Sequence, residues 1–74
     1  MHIETLEKAI QRDPFIPFEV QTAAGQIYRA HHHDQVWLTP RRRVLVMAEM
    51  DTDAVELISV SHISAIKTLM PDSD

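Results

Sequence analysis

The chain has 74 residues, of which 45% are hydrophobic and 24% are charged. These values are typical of a small globular chain, so we expect one domain, and they argue against a disordered chain, a collagen-like repeat and a coiled coil. The formal charge of -4 excludes a uniformly basic surface for nucleic acid but not a local basic cluster. The chain has no cysteine, which fits a cytoplasmic location. Because the longest uncharged aliphatic run is only Val44–Ala48, we expect no membrane partner.

The first segment of the chain is amphipathic. Ile3, Leu6 and Ile10 recur at the spacing of one helix face, which predicts a helix from about His2 to Arg12. Its acidic residues come first and its basic residues last, as the helix dipole favours. Asp13-Pro14 ends it, since a residue before proline avoids the helical conformation.

Two strands with a turn between them are predicted next. Phe18 to Thr22 alternates apolar and polar residues, and Ala23-Ala24-Gly25 supplies a turn in which glycine is expected at positive φ. A second strand is expected from Gln26 to about His32. We expect the chain to bend at the histidines and to continue, or to begin a successor strand, at Gln35 to Thr39.

The rest of the chain reads as further short strands. Val44 to Ala48 is apolar throughout, which predicts a central strand buried on both faces. An acidic turn, Asp51-Thr52-Asp53, leads to strands at Val55 to Val60 and Ile63 to Leu69. We place the domain at residues 1–70 and a polar tail at 71–74.

One helix followed by five or six strands without helical crossovers predicts mainly antiparallel pairing. So few strands hide their edges most simply in a small barrel. We therefore predict an α+β, mainly β fold, in which an N-terminal helix packs on a strongly bent five-stranded antiparallel barrel.

The order of these elements resembles that of the Sm-like (Hfq-like) barrels, whose outline SH3-like barrels share. The resemblance covers Leu6 to Leu69 and is carried by short motifs: the first strand with Gly25 and Tyr28, the segment Asp34-Gln35-Val36-Trp37-Leu38, and His62-Ile63-Ser64. It implies a barrel, pairing of subunits through strand edges, and RNA binding. The chain departs from the family at Ala24, where Asn or Asp is usual, and at Ala30, where glycine is usual, so RNA binding is the alternative and not the first expectation.

The sequence also resembles a group of short uncharacterised bacterial proteins. The likeness is carried by a Pro-Phe pair after the helix, here Pro17-Phe18, and by a His-acid pair at the bend, here His33-Asp34. No activity comes with this resemblance.

Three consecutive arginines, Arg41, Arg42 and Arg43, are the candidate nucleic-acid contact. Guanidinium groups bind phosphate, but arginines on a turn are also commonly solvated or paired with nearby acids. The acids considered as partners are Glu49, Asp51 and Glu56. Trp37, beside this turn, has the ring to stack on a base, although a lone strand tryptophan is more typical of a core or an interface.

The histidines are the candidate metal ligands. On a strand, His31 and His33 would share one face and could bind a divalent ion together with Asp34 or His62. A solvated bend is the alternative, and we assign no metal site and no cofactor. Ser61 and His62, as strand neighbours, would point to opposite faces, so we assign no catalytic residue and expect no enzyme.

The expected function is that of a non-enzymatic module that self-associates. Small domains without disulfides or metals commonly gain stability by oligomerisation. The interface candidates are Trp37, Leu45 and Met47, and the partner is a second copy or another protein. The alternatives are an RNA-binding Sm-like protein and a histidine-based metal or pH sensor.

Overall fold

One helix and six strands make up the computed structural model, which describes residues 2–69. The helix α1 spans Ile3–Gln11, and short 3-10 turns lie at His33–Gln35 and Val60–His62. The strands are β1 Phe18–Thr22, β2 Ile27–Ala30, β3 Val36–Leu38, β4 Val44–Ala48, β5 Val55–Ser59 and β6 Ile63–Thr68. The α+β, mainly β, fold class is confirmed. The predicted tail at 71–74 lies outside the described residues.

The strands form two antiparallel sheets of three, with the orders β2-β1-β6 and β3-β4-β5. The second sheet is a meander of consecutive strands, whereas β1 pairs both with β2 and with the much later β6. The bend predicted at the histidines is confirmed, since the 3-10 turn at His33–Gln35 carries the chain from one sheet to the other. The described residues form no closed sheet. The prediction of a single five-stranded barrel is therefore not confirmed.

The helix and all six strands contribute to one core. Leu6, Phe18, Val20 and Leu45 are its largest fully buried side chains. Ile10, one residue before the end of the helix, is partly buried. It packs against this core together with other apolar residues of the helix. The helical face predicted from the spacing of apolar residues is therefore confirmed.

Strand β4 is the centre of its sheet, and its three middle residues are buried, as predicted. Leu45 and Met47 belong to the core, at 0% and 3% exposure. A second chain cannot reach these two side chains while the fold is intact, and Trp37 is the exposed member of the three predicted interface residues. Val46 lies between them in sequence and outside the core cluster, so it is covered from the outer face.

At the bend after β2, a buried side-chain amide makes the backbone hydrogen bonds that a neighbouring strand makes elsewhere in the sheet. The Gln35 side chain is buried, and its Oε1 accepts hydrogen bonds from the backbone N–H of His31 at 2.9 Å and of His32 at 3.3 Å. Its Nε2 donates to the backbone oxygen of Arg29 at 3.2 Å. One side chain thus satisfies three backbone groups at the end of β2, where no strand partner does so.

Candidate interaction surface

The outer face of the β3-β4-β5 sheet is apolar and exposed. Trp37, Val46 and Leu57 lie directly opposite one another in neighbouring strands, so their side chains form one row across the sheet. Trp37 is 47% exposed and Leu57 71%, whereas Val46 between them is 9% exposed. Val55, two residues before Leu57, shares this face and is 53% exposed. We call these four residues the apolar face.

No charged residue occupies an outward position in the three strands of this sheet. Those positions follow from the register and the alternation of strand side chains, and they are Trp37, Val44, Val46, Ala48, Val55, Leu57 and Ser59. Contiguous apolar patches of a few hundred Å² on a monomer are often functional.

Charges of opposite sign lie at the two ends of the apolar face. The turn before β4 carries Arg41 and Arg43, and the turn after β4 carries Asp51 and Asp53; all four residues are exposed. Five residues of β4 separate the two turns, or about 17 Å at 3.4 Å per residue. The face therefore has a basic end and an acidic end.

The middle arginine of this turn is paired with an acidic residue of the helix. Arg42 has a positive φ of 61°, and its Nη1 lies 3.0 Å from Oε2 of Glu7 in the helix. The acid that pairs with it is therefore a residue of α1 and not Glu49, Asp51 or Glu56. Among residues 2–69, no acidic side chain forms an ion pair with Arg41 or Arg43.

Arg43 lies in a groove of about 390 Å³ beside two hydroxyl groups. The Oγ atoms of Ser59 and Ser61 lie 3.0 Å apart, and both residues line this groove. The predicted basic turn thus meets a pair of serines.

Strand β5 lies at the edge of its sheet, and some of its backbone N–H and C=O groups point away from β4. Val60 N donates to Arg43 O at 2.9 Å, and Glu49 N donates to Ala54 O at 2.8 Å. Hydrogen-bonded pairs alternate along an antiparallel ladder, so these two bonds fix which residues of β5 bond to β4. The residues whose N–H and C=O point away from β4 are Val55, Leu57 and Ser59. No residue within 2–69 pairs with them as a further strand.

Open grooves lie along one edge of each sheet, at β5 and at β6. A groove of about 320 Å³ lies between β5 and the β1–β2 turn, with Leu57 and Ser59 in its wall. A second groove, of about 410 Å³, separates the free edge of β6 from α1. Its lining residues are Thr5, Lys8, Ala9, Arg12, Ile66 and Thr68.

The outer face of the β2-β1-β6 sheet is polar by contrast. Glu19 lies opposite Arg29 and Lys67, and it accepts hydrogen bonds from Gln21 Nε2 at 2.7 Å and Arg29 Nε at 3.2 Å. The hydrogen bond from Gln21, and then the Arg29 guanidinium, hold the pKa of Glu19 below its usual value, although burial opposes them. This sheet satisfies its own charges and offers no comparable apolar row.

The histidines are not arranged as the metal hypothesis required. His33 begins a 3-10 turn, so it does not share a strand face with His31. Its Nδ1 lies 3.6 Å from Oδ1 of Asp34, and both side chains are well exposed. Across residues 2–69, no group of three or more His, Asp or Glu side chains could hold a metal ion.

Comparisons of the chain with protein-family models, with curated proteins and with solved structures gave no match. The resemblance to Sm-like barrels therefore stays a prediction. Within the described part of the chain, no helix is long and apolar enough to cross a membrane.

Proposed function

We propose that this protein is a non-enzymatic, cytoplasmic interaction module that forms homo-oligomers by pairing the free edge of β5 with an edge of a second copy. The proposal takes the two sheets as halves of an Sm/SH3-like barrel in which β2 and β3 are one bent strand. The observation that carries it is the β5 edge, where outward backbone groups coincide with the exposed side chains of Val55 and Leu57.

Edge strands are normally protected against pairing by lysine, proline, a bulge or an inward charge. Strand β5 has none of the first three; its one inward charge is the half-buried Glu56, opposite Met47, and the outward residues Val55 and Leu57 carry no charge. An edge of this kind invites pairing, and a regular partner strand both satisfies its backbone and prevents disordered aggregation. The free edge of β6, beside the groove at α1, is the edge proposed as its partner.

Substitution of Ser59 by proline tests the proposal. Its φ of -64° already suits proline, and its N–H is one of the outward groups, so the change blocks the edge without breaking the ladder to β4. The matched control Ser59→Ala removes the same hydroxyl and keeps the N–H. Sedimentation equilibrium at micromolar concentration should show a multiple of 8.5 kDa for the wild type and the control.

The Ser59→Pro chain should associate about tenfold more weakly or worse, with an unchanged circular dichroism spectrum. Leu57→Pro, which removes the next outward N–H, should act in the same direction. A folded wild type of 8.5 kDa would overturn the proposal, and so would full assembly of both proline variants.

RNA binding is the second candidate function, favoured by the groove in which Arg43 meets Ser59 and Ser61. A guanidinium beside two hydroxyl donors suits a phosphate, and the net negative charge of the chain predicts weak, strongly salt-dependent binding. A gel shift with poly-uridine that Arg43→Glu abolishes would support this function. The absence of any shift at low salt would exclude it.

A further inference from the structure

We propose that the apolar face packs against the same face of a second copy across a two-fold axis, so that the basic turn of each copy meets the acidic turn of the other. This inference deepens the proposed function, since it also rests on self-association. The interface that it assigns lies on the apolar face and not on the β5 edge. It also specifies the symmetry of the dimer and the charged turns that pair across it.

The exposed apolar side chains in the row across the sheet provide the surface for this contact. Trp37, Leu57 and Val55 are 47%, 71% and 53% exposed, which leaves roughly 300 Å² of apolar side-chain surface on one face. Burying this surface on two copies, together with the flanking turns, brings the total close to the roughly 1,000 Å² that a specific interface needs. Val46 is already covered by its neighbours, so the centre of the face is packed before a partner arrives.

The charges identify a second copy as the occupant. The face itself is uncharged, and its two ends carry opposite charges about 17 Å apart along β4. A two-fold axis that lies between the two sheets, parallel to them and perpendicular to β4, lays Arg41 and Arg43 of one copy over Asp51 and Asp53 of the other, and does so at both ends. An interface of this type is isologous, with the same patch used by both subunits. Arg42 is not needed, because it is paired with Glu7 in its own chain.

Charge reversal at one end at a time provides the decisive variants. The acidic-ended variant is Arg41→Glu with Arg43→Glu, which leaves both ends negative. The basic-ended variant is Asp51→Lys with Asp53→Asn, which leaves both ends positive or neutral. Asparagine is chosen because residue 53 has a positive φ of 61°, which asparagine tolerates and lysine does not.

The experiment uses the full chain carrying Ser59→Pro, so that edge pairing is blocked and only the face is tested. Sedimentation equilibrium of this chain should show a dimer, and each charge variant alone should associate about tenfold more weakly. An equimolar mixture of the two variants should recover association as a heterodimer, and added salt should weaken it. The inference is overturned if the mixture stays monomeric, or if each variant alone associates as strongly as its parent.

The single tryptophan gives an independent readout. Because Trp37 is half exposed and lies in the proposed interface, its fluorescence emission should move to shorter wavelength as the protein concentration rises. If the wild type is oligomeric but the emission of Trp37 does not change with concentration, the face is not the interface while the edge proposal stands. If the Ser59→Pro chain still forms a dimer and its tryptophan emission still shifts, the result supports the apolar face as an interface that does not require the β5 edge.

Discussion

Replacement of Gln35 by methionine should destabilise the domain through the backbone at the bend. Methionine has nearly the same length and volume, so the core stays filled, but it neither accepts from His31 and His32 nor donates to Arg29. The three hydrogen bonds contribute about 0.5–1.5 kcal/mol each. Their combined loss should lower the free energy of unfolding by about 3 kcal/mol, a large part of the roughly 5 kcal/mol expected of a domain this small.

The assay is equilibrium urea unfolding followed by circular dichroism. The control Gln35→Glu is compared at a pH where its carboxyl is protonated, so that it keeps an acceptor for His31 and His32 and an O–H donor toward Arg29, and its loss should then be about 1 kcal/mol or less. The expected order of midpoints is wild type, glutamate, methionine. A methionine variant within about 0.5 kcal/mol of the wild type would refute the role given to this amide, since it would show that water replaces it at no cost.

Three further predictions concern the helix and the charges. Leu6→Ala should lower the free energy of unfolding by about 2–5 kcal/mol because Leu6 is fully buried, and a melt unchanged from the wild type would contradict the packing of α1 on the core. Ionised Glu19 stabilises the fold above its ordinary pKa of 4.5, and this stability is lost as the pH falls below that value. The free energy of unfolding of a Glu19→Gln variant should therefore depend less on pH in that range than the free energy of the wild type. The exposed pair of Arg42 and Glu7 should couple by less than about 1 kcal/mol in a double-mutant cycle and should weaken with salt; a larger, salt-independent coupling would contradict this.

Local patterns in the sequence predicted most of the elements correctly. The spacing of apolar residues located the helix, the alternation from Phe18 located β1, and Gly25 has the expected positive φ of 89°. Each of these signals depends on a few neighbouring residues and on backbone sterics, which is why they could be read without tertiary information.

The inward and outward faces of β4 could not be assigned in the same way. All five residues of this strand are apolar, so alternation does not distinguish the face of Leu45 from the face of Val46. The register that places Val46 opposite Trp37 depends on the turn before β4, in which Arg42 has a left-handed conformation. Arginine does not signal that conformation in a sequence, because non-glycine residues rarely adopt it.

Tertiary pairings were also beyond the sequence. The contact between Arg42 and Glu7 joins residues whose proximity depends on how the helix docks. The role of Gln35 depends on the end of β2 coming within reach of its amide. Both contacts are consequences of the assembled fold, and no local pattern marks the residues that form them.

The position of β1 between β2 and β6 determines the order in which the chain can complete its fold. The β3-β4-β5 meander is contiguous and needs only short loops to close, whereas one side of β1 lacks its partner until Ile63–Thr68 is available. During synthesis, the first sheet therefore stays incomplete until β6 has left the ribosome, and Ile63 joins the core only at that stage. Until then, the newly made chain exposes the edge of β1 and relies on the late strand to seal it.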